Sequence, residues 1–85
     1  MKIELANTDR IDEYDALCIE FMDKILNIKE FLVTDESDLH DFIAKDEEND
    51  IWDLIKTHFK IEKVWCKSTR LVDIFEVIQL RRNVQ

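Results

Sequence analysis

Apolar residues recur at helical spacing along most of the chain. Ile11, Tyr14, Cys18, Phe21, Met22 and Ile25 form one stripe, with Asp12, Asp15, Asp23 and Lys24 on other faces. The stripe predicts a first helix from about Asp9 to Leu26, capped by Asn7 or Thr8. Asn27 ends it, since Asn tolerates the left-handed conformation found there. A second stripe, Ile51, Leu54, Ile55, His58 and Phe59, follows the i, i+3, i+4, i+7, i+8 pattern. It predicts a helix over roughly Asp46 to Phe59, with Trp52 at the stripe's border and Asp46 or Asn49 as cap. A third stripe, Leu71, Ile74, Phe75 and Ile78, broadened by Val72 and Val77, predicts a last helix from about Arg70 to Arg82 behind Ser68 or Thr69. A strand reading of that β-branched stretch fails because alternation breaks at Glu76 and Gln79.

The connections carry their own apolar residues. Phe31, Leu32, Val33, Leu39 and Phe42 are expected to tuck onto the core, with Leu39 to Phe42 forming one short helical turn. Thr34, Asp35, Glu36 and Ser37 offer capping side chains. Ile61, Val64 and Trp65 are available for burial in the second link. Met1 to Leu5 alternates, which fits either an edge strand or an extended arm over residues 1–7. The expected architecture is therefore all-α: one domain over residues 1–85, a small bundle of three main helices plus a short helical turn in the long loop.

Composition sharpens this reading. The chain has 85 residues, enough for one domain with a modest core. Glycine and proline are both absent. Tight hairpins lean on those residues, so their absence argues against a turn-rich β fold and for helices joined by simple loops. Net charge is −8, and it is unevenly spread: about −3 over residues 1–29, about −9 over 30–53 and about +4 over 54–85. An acidic chain repels phosphate backbones, which argues against a nucleic-acid partner. No apolar run approaches bilayer length, and no secretory leader pattern opens the chain. Cys18 and Cys66 match no metal or redox spacing, and Cys18 falls on a helix's apolar face. These features predict a reduced, cytoplasmic protein that stays off membranes.

The order of elements, and particular stretches within them, resemble acyl carrier proteins. Leu26, Ile28, Val33, Thr34, Ser37, Leu39, Asp41 and Asp46 in LNIKEFLVTDESDLHDFIAKD fall in register with that family's loop and its approach to the second helix. HFKIE is similar to the family's Phe-x-Ile-Glu ending of that helix, and TRLVDIFEVI to its Thr-Val-x-Asp-x-x-x-x-Ile last helix. The resemblance covers roughly residues 11–80. The family attaches its phosphopantetheine arm to a serine in an Asp-Ser-Leu triplet. Counting from Val33-Thr34 places Glu47 there, and counting back from Phe59 places Lys45. No Ser or Thr lies between residues 38 and 56. Two glycines usual near these loops are replaced by Asn27 and Ala44. The resemblance thus implies a carrier-like fold without the arm, and no cofactor.

Candidate chemistry is sparse. Asp46, Glu47, Glu48 and Asp50 crowd the start of the second main helix, where negative charge suits the dipole. They lack calcium-loop spacing and its turn glycine. His40 and His58 have no third ligand in pattern, and no nucleophile–base pair is suggested, so an enzyme is not expected. In acyl carriers the acidic second helix docks on basic patches of partner enzymes. The resemblance implies that Asp46, Glu47, Glu48, Asp50 and Asp53, with Trp52 as an aromatic anchor, bind the basic surface of a partner protein here. Two other readings fit the same sequence: a true carrier modified at an atypical serine such as Ser37, and an acidic inhibitor or immunity-type protein.

Overall fold

The computed structural model describes residues 9–83. The expected arm over residues 1–7 and the Asn7 or Thr8 cap lie outside the described residues. Four α-helices run in order: α1 Asp9–Asp12, α2 Asp15–Lys24, α3 Glu48–Phe59 and α4 Leu71–Asn83. Single 3-10 turns at Leu39–Asp41, Lys45–Glu47 and Lys63–Trp65 lie in the connections. Among the described residues there is no strand, and the one β-type pairing is an isolated antiparallel bridge between Asp38 and Arg70. The all-α bundle of three main helices with a turn in the long loop is what the periodicity predicts.

The first helix is not continuous. Glu13 and Tyr14 donate their amides three residues back, to the carbonyls of Arg10 (3.2 Å) and Ile11 (3.0 Å), and α2 restarts at Asp15. Both sides of the break are held from elsewhere in the chain. Asp35, brought in from the long loop, accepts from the amides of Ile11 (2.7 Å) and Arg10 (3.1 Å). The Tyr14 ring lies 6.2 Å from that of Phe75. Periodicity does not detect the break, because Ile11 and Cys18 stay buried on either side of it.

The core is built where α2, α3 and α4 face one another. Phe21 is fully buried at its centre, 5.3 Å edge-on from Phe75 and 5.9 Å from Phe59. Cys18, Met22, Ile25, Leu39, Ile55, Ile61, Leu71, Val72, Ile74 and Ile78 fill the rest. Four apolar side chains placed on a stripe or offered for burial are exposed: Leu32, Leu54, Val64 and Trp65. Leu32 is 90% exposed and Val64 85% exposed, and Trp65 is also exposed; Leu32 lies in the long loop, and Val64 and Trp65 in the one-turn segment before α4. On α3 the buried residues are Trp52, Ile55 and Phe59, while Leu54 and His58 face out. The helix is rotated from the expected stripe so that the larger apolar surface of Trp52 goes inside.

Without glycine, two ordinary residues take left-handed backbone at helix ends. Asn27 (φ 56°) follows α2 as expected, and the Ile28 amide turns back onto the Met22 carbonyl at 2.8 Å. Lys60 (φ 62°) ends α3 with its amide on the Lys56 carbonyl at 2.9 Å. The long loop and the start of α4 are stitched by Leu39 N–H to the Thr69 carbonyl and Leu71 N–H to the Ser37 carbonyl, both 2.9 Å.

Candidate functional site

The expected docking residues separate into three groups. Asp46, Glu47, Asp50 and Asp53 are exposed. At 100° per residue these four positions lie on one side of α3 and the turn that leads into it, together with Leu54 and Thr57. None of the four takes part in an ion pair among the described residues. Leu54 is 47% exposed and is the apolar member of this face. Trp52 points the opposite way and is only 8% exposed. A ring so enclosed cannot serve as a surface anchor, so the expected role of Trp52 is corrected. Its indole N–H has no hydrogen-bond partner among the described residues.

Glu48 is also turned away from the outer face, into a polar chain that ties four segments together. Its Oε1 lies 2.9 Å from His40 Nε2, and its Oε2 accepts from Lys63 Nζ at 2.5 Å. On the other side of the ring, His40 Nδ1 lies 3.0 Å from Asp38 Oδ1. Asp38 also accepts from the His40 amide at 2.9 Å and from Thr69 Oγ1 at 2.9 and 3.0 Å. His40, Ile43, Lys45 and Glu48 line a cleft of about 450 Å³ at the start of α3.

The electrostatics of this cleft do not favour proton transfer near neutral pH. With a carboxylate on each ring nitrogen, His40 is stabilised as imidazolium, and the Glu48 hydrogen bond raises its pKa above the ordinary 6.5. The Lys63 and His40 contacts hold Glu48 down at about 2. A general base needs a free lone pair and a pKa near the working pH, and neither group offers both. Burial pushes the Cys18 and Cys66 thiols up to about 11, which keeps them from acting as ready thiolates. Among the described residues no three His, Cys, Asp or Glu side chains are grouped to hold a metal ion.

Of the two positions that the resemblance aligns with a carrier's serine, Lys45 opens the 3-10 turn before α3 and Glu47 closes it, with Glu47 Oε1 accepting from the Ala44 amide at 2.7 Å. The expected caps Asp46 and Asn49 do not cap α3, because the 3-10 turn Lys45–Glu47 continues straight into it. Ser37, the alternative attachment point, is half-buried and accepts from the Thr34 amide at 2.8 Å.

A second cluster closes the other end of the bundle. Glu20 accepts from Arg82 Nη2 at 3.0 and 3.2 Å and pairs with His58 Nε2 at 2.8 Å. Arg82 also lies 5.3 Å over the Phe59 ring. The Arg82 hydrogen bond lowers the Glu20 pKa. His58, a polar member of the expected stripe, is thus a hydrogen-bonded residue at the edge of the core.

Asp38 and Lys63 have no expected role in the sequence, and Asp35 and Thr69 are expected only as local caps; Asp35 instead caps α1 from 24 residues away, and Thr69 donates to Asp38. One local signal was present: Asp38-x-x-Asp41 is a capping-box spacing, and the Asp38 amide does donate to Asp41 Oδ2 at 2.9 Å. The long-range contacts of Asp35 and Glu48 have no such signature. No helix among the described residues is long and apolar enough to cross a membrane. No family model matches this chain, and neither does any curated protein or solved structure.

Proposed function

We propose that this protein is a non-enzymatic interaction module whose outer α3 face docks on the basic surface of a partner protein. The observation that carries the reading is the set of four exposed carboxylates, Asp46, Glu47, Asp50 and Asp53, outside any ion pair among the described residues and arranged around exposed Leu54. Other carboxylates nearby, such as Glu48, are already neutralised within the fold. Unpaired charge on one face steers encounter with the opposite sign, and a central apolar side chain adds contact once the charges have set the orientation. The resemblance to acyl carriers supports the same reading, since in that family the acidic second helix is the docking element. On this reading the protein works in the cytoplasm and carries no cofactor.

The test is a pull-down from the source cytoplasm with the wild type and with D46K/D50K/D53K, at two salt concentrations. The reversed variant is expected to lose the partner while keeping its helical circular dichroism, because no internal ion pair is broken. Glu48→Gln is the control: it should lower thermal stability and leave capture largely intact. Equal capture by the wild type and the triple variant would refute the assignment.

A further inference from the structure

A second exposed surface complements the first. Trp65, Val77, Leu80 and Arg81 line an open cleft of about 290 Å³ between the 63–65 turn and α4. Trp65 is 51% and Leu80 59% exposed, and Val64 beside Trp65 is more exposed still. The cleft is smaller than a typical small-molecule pocket of about 300–1,000 Å³ and suits one or two apolar side chains. Its charged edge is basic. Arg81 donates only through Nε, to the Lys60 carbonyl at 3.4 Å, and neither Arg81 nor Lys60 pairs with a carboxylate among the described residues.

Resting on the reading of α3 as a docking face, we infer that the cleft receives the outer α3 face of a second copy of this chain. Leu54 would enter between Trp65 and Leu80, and Asp50 and Asp53 would meet Arg81 and Lys60. The two surfaces share no residue, so each copy offers both. They are opposite in sign, and each has an apolar centre beside charge outside any ion pair among the described residues. Charge complementarity names the occupant here, since the same sequence supplies a leucine among unpaired carboxylates and an apolar notch beside unpaired cations. The contact joins unlike faces. It is therefore heterologous, and copies add head to tail unless the rotation closes the assembly.

Sedimentation velocity across a concentration series tests this. At roughly 0.1 M salt, where the Debye length of about 10 Å mutes repulsion between two chains of charge −8, the mean mass should rise with concentration. At about 1 M salt it should fall toward the monomer. Arg81→Glu alone and D50K/D53K alone should each remain monomeric. A one-to-one mixture of the two variants should associate again, because one interface is then native and the other is complementary with both signs exchanged. Restoration in the mixture also shows that neither variant had merely lost its fold. A wild type that stays monomeric throughout, or variants that associate as the wild type does, would overturn the inference. A monomeric wild type whose D46K/D50K/D53K variant still loses a cytoplasmic partner would sink only the self-association and leave the docking face standing.

Discussion

Asp35 shows how much a single side chain can organise. Among the described residues it is the buried charged one, and both its oxygens are spent on the amides that open α1. Those amides have no helical partner of their own, so the carboxylate replaces a local cap with one from 24 residues away. Asp35→Ala should cost roughly 1–2 kcal/mol, the upper range for loss of a cap, with two amides left unpaired. For a domain of this size that is a drop in melting temperature of about 4–16 °C, measurable by circular dichroism. Trp52 carries a complementary lesson. Its size decides its place: burial of the indole outweighs one unpaired N–H, and Leu54 is left as the exposed apolar side chain of the outer face.

At the scale of elements, α3 divides cleanly into two faces. Trp52, Ile55 and Phe59 hold it to the core, Glu48 pins its first turn to His40 and Lys63, and Asp46, Glu47, Asp50 and Asp53 remain outside. Substitutions on the outer face therefore leave the contacts that hold α3 to the core in place. The far end of α3 stores a small cost. Lys60 adopts a left-handed backbone that disfavours any residue with a Cβ by roughly 1–2 kcal/mol. Lys60→Gly removes that strain but loosens the unfolded chain, so a net gain of up to about 1 kcal/mol is expected in urea denaturation. The two segments of the first helix make a different point. Their shared apolar stripe was legible in the sequence, yet the break at Glu13 and Tyr14 depends on Asp35 and Phe75, which approach from distant positions.

At the scale of the molecule, two charged clusters fasten the bundle at its ends: Thr69–Asp38–His40–Glu48–Lys63 at one, and His58–Glu20–Arg82 at the other. Their titration gives stability a defined pH window. The folded pKa of His40 is raised, so its contribution is complete below 6.5 and is lost as pH rises through the folded value. Glu48 is lowered to about 2, so its contribution is complete above 4.5 and is lost as pH falls toward 2. Glu20, also lowered, acts in the same direction as Glu48. The urea midpoint should therefore be highest between about pH 4.5 and 6.5 and decline as pH rises above 6.5 through the raised His40 value. His40→Gln should remove most of the decline above pH 6.5; an unchanged slope would show that the ring is not held as imidazolium.

Periodicity and composition, taken alone, determined the all-α class, the three main helices, the turn at Leu39–Asp41 and the end of α2 at Asn27. Each is dictated locally, by repeat spacing, by side-chain size and by which residues accept left-handed backbone. The same local information placed the acidic run at the start of α3. It could not say which of those acids remain free, because Glu48 is neutralised by residues 8 positions behind it and 15 ahead of it. The inward turn of Trp52 and the exposure of Leu32, Val64 and Trp65 were likewise tertiary decisions. A core of this size can cover only part of its apolar side chains, and which ones win depends on the packing of all the helices together.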